Sequence, residues 1–490
     1  GQHDTLTVSI QQLFDQYSYG ERHPLAIRRF ADQLLRQSAN SPNRPRYLLL
    51  IGHSRSTPGV RRNPNQANID LVLTAGFPGS DLLFTAGLAG EPQDVPAIPT
   101  GRLNVTSPQQ VIDYLNKVKE FENTPPDQPW RKRILHLSGG ANPGEAITFK
   151  SILSHYGTMA MGESLGAQIT TIGKKTTNSV ESINVAKEVN EGVGLMTIFG
   201  HSSLDLSDLD IGFCSNDALG YSNKGKYPLM LINGCASGNI FYSRPTFSSD
   251  WVVTQNRGAI AAIANSHLGY TDVLDRYSQQ FYTLLTDSTS LHRSVGEIQQ
   301  ETVRRVLAKN PTGLYLANAQ QMVLQGDPAI RLFPFTTPDY AVTTNDVTID
   351  NPSGQPLTAL SDSVRLSVAV TNYGQYRRSA LPIRVRRFVD DQETGVYNVV
   401  LPRAVAYRDT LLLTLPNDRT AIGLNRFEVT VNPANTIQER NHTNNQASVE
   451  LTVGASGPVL IYPPQSGIIP NRTVQLVAFY YAIGVHTFDV

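Results

Sequence analysis

The sequence has 490 residues, with 41 Lys+Arg and 41 Asp+Glu, so its formal charge at pH 7 is zero. That balance argues against a chain-wide binder of nucleic acid or anionic membrane, and only two cysteines rule out a disulfide-dense scaffold or a Cys-rich zinc module. A hydrophobic share of 40% supports packed cores, the 17% charge is low, and the length suits about three domains.

In chain order, Leu25 to Ala39 puts Ala26, Ile27, Phe30, Ala31, Leu34 and Leu35 on one helical face. Arg46 to Ile51 reads as a buried strand ending at Gly52. Val111, Leu115 and Val118 mark a helix ending near Glu122, and Ile134 to Leu137 a strand. Ile147 to Tyr156 is predicted helical, with Gly157 as its C-cap. A strand at Ile169–Ile172, a helix at Val180–Val189 and strands at Val193–Phe199 and Pro228–Ile232 follow. Ser248 to Gln255 reads as helix, Gly258 to Ala264 as strand, and Val273–Leu284 and Val295–Leu307 as helices. Such alternation predicts a mostly parallel sheet with helices on both faces.

The pattern changes near Pro334. Val364–Val370, Ile383–Val389, Leu411–Leu415 and Arg426–Val431 alternate with period two between turn signals such as Asn372-Tyr373-Gly374. About seven short strands over roughly 110 residues predict an immunoglobulin-like sandwich. The expected division is 1–130 and 131–336 as two α/β subdomains, 337–455 as a β-sandwich and 456–490 as the start of a further β module. No apolar run reaches the length of a membrane helix. The polar Gly1-Gln2-His3-Asp4 start and the end at Val490 both read as internal points of a longer chain.

In parallel α/β sheets reactive groups collect at the carboxyl ends of strands. One strand end leads into Gly200-His201-Ser202-Ser203, and another into Asn233-Gly234-Cys235-Ala236-Ser237-Gly238. If these strands are neighbours, a histidine can take the thiol proton and return it to a leaving amine. Gly200, Gly234 and Gly238 are expected to let the backbone turn sharply, and the amides of Ser202 and Cys235 are candidate oxyanion donors. Taken singly, Cys235 reads as a small buried residue and His201 as a loop histidine; it is the pairing of two strand ends that singles them out. Gly52-His53-Ser54-Arg55-Ser56 looks like a nucleophile elbow but lacks the second glycine. Cys214 reads as a buried residue, and a Cys214–Cys235 disulfide would remove the nucleophile.

The stretch resembles the gingipain family of secreted bacterial cysteine peptidases, which have a caspase-like fold. Besides the His and Cys turns, Gly79-Ser80-Asp81, Ile98–Leu103, Arg257–Ser266 and Gln325–Leu332 match family segments in order, over about residues 15–335. The resemblance implies a caspase-like α/β catalytic region with His201 as general base and Cys235 as nucleophile, and it implies substrate-binding roles for Asp81 and Ser266. The family turn has Gly after the His; Ser202 there would be strained if the position needed positive φ. Of the loop Ser138–Glu145, Glu145 is the sole acid: either the histidine's partner or a residue favoured by a helix N-terminus. A second loop acid, which Arg-specific members use, is missing. Gly423-Leu424-Asn425, Val431–Glu439 and Asn444-Asn445 resemble a CARDB-type module, whose Glu439, Asn441 and Asn445 suit either a structural calcium or turn formation.

A gingipain-like region followed by immunoglobulin-like modules resembles the PorU-like sortases of the type IX secretion system. That implies a surface location at the bacterial outer membrane, C-terminal sorting domains of exported proteins as substrates, secretion-system partners and no required cofactor. The alternatives are an independent secreted endopeptidase and a degenerate scaffold or adhesin.

Overall fold

The computed structural model describes residues 4–125, 127–455, 459–462 and 477–479, and the chain divides into two compact units, Gly1–Thr336 and Thr337–Val490. The first unit begins α1 (Ile10–Ser18), α2 (Leu25–Gln37), β1 (Leu48–Ile51), α3 (Thr57–Arg62), β2 (Thr100–Leu103), α4 (Pro108–Asn123) and β3 (Arg133–Ser138). It continues α5 (Pro143–Met161), β4 (Gln168–Gly173), β5 (Glu181–Ser182), α6 (Ala186–Glu191), β6 (Leu195–Phe199), β7 (Leu209–Asp210) and β8 (Leu229–Asn233). It closes with α7 (Phe247–Val253), β9 (Ala261–Asn265), α8 (Thr271–Leu285), α9 (Val295–Lys309), α10 (Gly313–Gln321) and β10 (Met322–Gln325).

Eight of these strands form one sheet in the order β1-β2-β10-β9-β8-β6-β3-β4. Every pairing is parallel except β10 with β9. The strands from 1–130 therefore share one sheet with those from 131–336. Successive residues of the central strands face opposite ways. Ile134, Leu195, Leu229, Leu231 and Ile263 pack with Phe149, Leu153 and Tyr277 of α5 and α8. Leu135, Met196, Ile198, Met230 and Ile232 pack with Tyr114, Phe247 and Trp251 of α4 and α7. Both faces are covered, which is why these strands read as mostly apolar runs, with His136 and Thr197 as buried polar exceptions.

Several expectations change. α5 starts at Pro143, four residues before Ile147, because Asn142 Oδ1 accepts the Glu145 N–H at 3.0 Å and Pro143 needs no donor there. Gly157 does not end the helix; it is buried inside it beside Ile169 and His136, and the helix stops at Gly162. The predicted helix Val180–Val189 is split. Glu181–Ser182 pairs as a strand with Leu209–Asp210, and Asn184 Oδ1 then accepts the Ala186 N–H, so the helix starts only at Ala186. The family-matched segment Gln325–Leu332 is a strand only at Gln325, the last residue of β10, after which Gly326 turns at φ +109°.

The second unit is all β: β11 (Tyr340–Ala341), β12 (Val347–Asp350), β13 (Ser363–Asn372), β14 (Leu381–Val389), β15 (Gln392–Leu401), β16 (Arg408–Pro416), β17 (Gly423–Val431) and β18 (Gln446–Val453). β11, β12 and β16 all pair with β13, and β15-β14-β17-β18 make a second sheet. Val364, Leu366 and Val368 of one sheet share a core with Ile383, Val385, Phe427 and Val429 of the other, the layout of an immunoglobulin-like sandwich. Beyond it, β19 (Val459–Tyr462) and β20 (Val477–Phe479) pair antiparallel; the rest of the segment expected to start a further module lies outside the described residues.

Candidate active site

β8, β6 and β3 are neighbours, and Asn233, Phe199 and Ser138 stand level at their carboxyl ends. The loops that leave these three positions carry Cys235, His201 and Glu145. Register alone thus brings together residues far apart in the chain.

His201 Nε2 lies 2.9 Å from Glu145 Oε2, and the Ala141 N–H donates to the same oxygen at 2.8 Å. The hydrogen bond from His201, followed by that from Ala141, holds the Glu145 carboxyl below the usual glutamate range. The two alternatives for Glu145 therefore coexist: it occupies the first turn of α5 and it meets the histidine. With Nε2–H directed at the carboxylate, Nδ1 is the nitrogen left without a proton. The ring also lies 5.9 Å from that of Phe149.

Cys235 is half-buried and unpaired. Its Sγ is 3.3 Å from the Gly269 amide N, which donates to it, and 3.7 Å from Gly269 O. Thiol and imidazole are not hydrogen-bonded to one another here. Catalytic contacts of this kind are often loose without substrate and tighten in the reacting complex. Among the described residues the amide N–H groups of Ser202 and Cys235 have no hydrogen-bond acceptor, so both are open to donate.

Ser202 is not strained: the residue at left-handed φ is Ala236, at +56°, immediately after the cysteine. The Ser202 hydroxyl donates to Cys235 O at 2.9 Å. The three glycines are needed for room, not for turning, since none has positive φ. A Cβ on Gly234 would sit 2.1 Å from Ser202 Oγ, one on Gly200 2.4 Å from Asp208 Oδ1, and one on Gly238 2.3 Å from Ala264 O.

Asp208 is the residue that sequence reasoning missed. It is buried; its Oδ2 accepts the Gly140 N–H at 2.7 Å, its Oδ1 the Leu209 N–H at 3.0 Å, and its own N–H donates to His201 O at 2.8 Å. It ties the histidine loop to the glycine pair that leads into Glu145. Its one sequence signal, a carboxylate in a polar loop after His201, is common to most turns.

Asp81 and Ser266, expected to bind substrate, are both buried and hydrogen-bonded within the protein. Both Asp81 oxygens face the buried Arg102, at 2.7 and 2.8 Å, and Thr74 Oγ1 donates at 3.1 Å. Ser266 is buried, and its hydroxyl donates to Gly79 O at 2.9 Å. Ser54, in the false elbow, is fully buried. The Cys214–Cys235 disulfide is absent: Cys214 is a buried free thiol beside Asp250 O, and burial pushes it up to about 12.

In the β-sandwich the residues that suit either a calcium or a turn use their oxygens as turn and loop acceptors. Glu439 is buried and accepts N–H groups from Asn432 at 2.6 Å, Asn445 at 2.9 Å and Tyr340 at 2.7 Å. Asn441 Oδ1 accepts from the Thr443 N–H and hydroxyl. Among the described residues no three His, Cys, Asp or Glu side chains converge, and no helix is long and apolar enough to cross a membrane.

A mainly parallel α/β sheet that presents a thiol and a carboxylate-held imidazole on neighbouring strand ends has the layout of a cysteine hydrolase. The family model described as "Peptidase family C25" matches residues 2–333, and the chain belongs to that family. Lys-gingipain of Porphyromonas gingivalis is 25% identical over 181 residues, covering 36% of this chain and 10% of that protein. The chain therefore spans a small part of the curated relatives it matches. The crystal structure of the Arg-specific cysteine proteinase gingipain R superposes over 90% of each chain with a TM-score of 0.53 at 14% identity, which shows the gingipain-like fold. Dimeric latent PorU from Porphyromonas gingivalis aligns over 93% of this chain and 42% of its own, at 15% identity and a TM-score of 0.34.

Proposed function

We propose that this chain is a cysteine peptidase or transpeptidase of the bacterial surface, in which Cys235 is the nucleophile, His201 the base and Glu145 its orienting partner. The observation that carries the reading is the 2.9 Å contact between His201 Nε2 and Glu145 Oε2, beside a strand end that delivers an unpaired thiol. His201 Nδ1 takes the Cys235 proton, and the sulfur attacks the scissile carbonyl carbon. The oxygen of that carbonyl becomes an oxyanion facing the Ser202 and Cys235 amides. His201 passes its proton to the amine, which leaves as the C–N bond breaks and a thioester forms. Water or a second amine then attacks the thioester and releases the enzyme.

As to substrate, the order of a gingipain-like region and an immunoglobulin-like module favours a sortase of the type IX secretion system. Its substrates would be the C-terminal sorting domains of exported proteins. The test is to incubate the protein with a cargo protein bearing such a domain and with an unrelated unfolded protein, and to follow both by intact mass. Cargo cut at the domain boundary, lost in Cys235→Ala, supports the sortase. Equal cutting of both substrates favours an independent endopeptidase. A degenerate scaffold is the second reading, favoured by a thiol that hydrogen-bonds to Gly269 and not to His201; it predicts no cutting of either.

A further inference from the structure

The Ser202 hydroxyl, itself partly exposed, lies at the end of a directed chain of buried donors. Gln325 Nε2, on β10, donates to Ser248 Oγ at 2.7 Å, and Ser248 Oγ, on α7, donates to the Ser237 carbonyl. Ser237 Oγ in turn donates to Ser202 Oγ at 2.7 Å, and Ser202 Oγ to the Cys235 carbonyl at 2.9 Å. Gln325, Ser248 and Ser237 are each at most 1% exposed. In so dry a place a hydrogen bond is worth more than at the surface, and its partners are held in one arrangement.

The chain ends where the backbone is least relaxed. Ala236 follows the cysteine at φ +56°, and its N–H is taken by His267 O at 2.7 Å. A non-glycine residue in that region is strained and persists only where its surroundings over-determine it. The Ser202 clamp on the Cys235 carbonyl fixes one side of this peptide, and His267 the other. Gly234 is required for the clamp, because any side chain there would occupy the place of the Ser202 hydroxyl.

We propose that Ser202 is a positioning residue: its hydroxyl, backed by Ser237, holds the nucleophile loop against the histidine loop so that the Ser202 and Cys235 amides form a fixed pair of oxyanion donors. It does not touch the reacting atoms through its side chain. The inference rests on the assignment of Cys235 as nucleophile made above.

The test compares two reactions of the same sulfur. p-Nitrophenyl acetate acylates a thiol through a tetrahedral oxyanion. Iodoacetamide alkylates it by direct displacement, which forms no oxyanion. Ser202→Ala and Ser237→Ala are expected to slow acylation of Cys235 roughly 10- to 100-fold, short of the factor for losing a donor outright. Alkylation should stay within about twofold of wild type, since only the oxyanion step is touched. The double variant should be no slower than Ser202→Ala, because both act through one hydroxyl. His201→Ala should slow both reactions. Acylation unchanged in Ser202→Ala, or both reactions slowed equally, overturns the positioning role while leaving the nucleophile in place. A wild-type Cys235 that reacts no faster than Cys214 with either reagent removes both proposals.

Discussion

Glu145 Oε2 meets His201 Nε2 at 2.9 Å, although 56 residues separate them in the chain. The contact follows from sheet order: β3 lies beside β6, so the first turn of α5 opens next to the residue that follows β6. It fixes the imidazole tautomer with Nδ1 free.

Glu145→Gln keeps the base and loosens its orientation. Losing a general base altogether costs on the order of 10²- to 10⁴-fold, so this variant is expected to cost less, about 10- to 100-fold in kcat/KM. Unfolding should change little, because the pair is 54% and 36% exposed and exposed pairs add little stability. Steady-state kinetics and a urea melt separate the two effects.

Arg102 donates all five of its N–H groups: to Asp81 at 2.7 and 2.8 Å, Gly52 O at 2.9 Å, Val72 O at 2.8 Å and Leu73 O at 3.1 Å. Removing one partner of a buried pair costs roughly 3–5 kcal/mol. Asp81→Asn and Arg102→Met should therefore both lower the urea midpoint strongly. Were Asp81 a substrate group, Asp81→Asn would raise KM and leave the midpoint alone.

His136 is fully buried on β3, with Nε2 3.0 Å from Tyr282 OH and no partner for Nδ1. Burial pulls it from 6.5 down to about 4. The unfolded chain takes up the proton first, so the stabilisation is fully present above pH 6.5 and is lost as pH falls toward 4. Each pH unit in that window corresponds to about 1.4 kcal/mol at most, giving a total of roughly 3 kcal/mol. His136→Phe should flatten the stability profile between pH 6.5 and 4 relative to wild type; an unchanged slope would assign the acid lability elsewhere.

How much of this was legible in the sequence differs by element. β6 and β8 stood out because both their faces are buried and their runs are mostly apolar, broken by Thr197 and ended by Asn233, and the glycines after them marked where the chain leaves the sheet. The start of α5 was equally readable in Asn142-Pro143-Gly144-Glu145, a cap, a donor-free first residue and an acid at the third position; apolar periodicity pointed to Ile147 instead, because the first turn is exposed. β15 was missed because its residues are all at least partly exposed, so alternation is faint. At the site, the thiol and imidazole were visible from strand ends alone. Asp208 was not, since its value depends on Gly139 and Gly140 of a loop more than 60 positions earlier. The surroundings of Asp81 were hidden for a similar reason: only the folded chain shows Arg102 facing it.

The central claim is that Cys235 is a nucleophile served by His201, and the most direct measurement is the alkylation rate of each thiol at neutral pH, located by peptide mass spectrometry. Cys235 is expected to label fast, to slow markedly in His201→Ala and less so in Glu145→Gln, while the buried Cys214 stays unmodified until the protein unfolds. A Cys235 that labels no faster than an ordinary exposed thiol, at a rate unaltered by His201→Ala, would contradict the account.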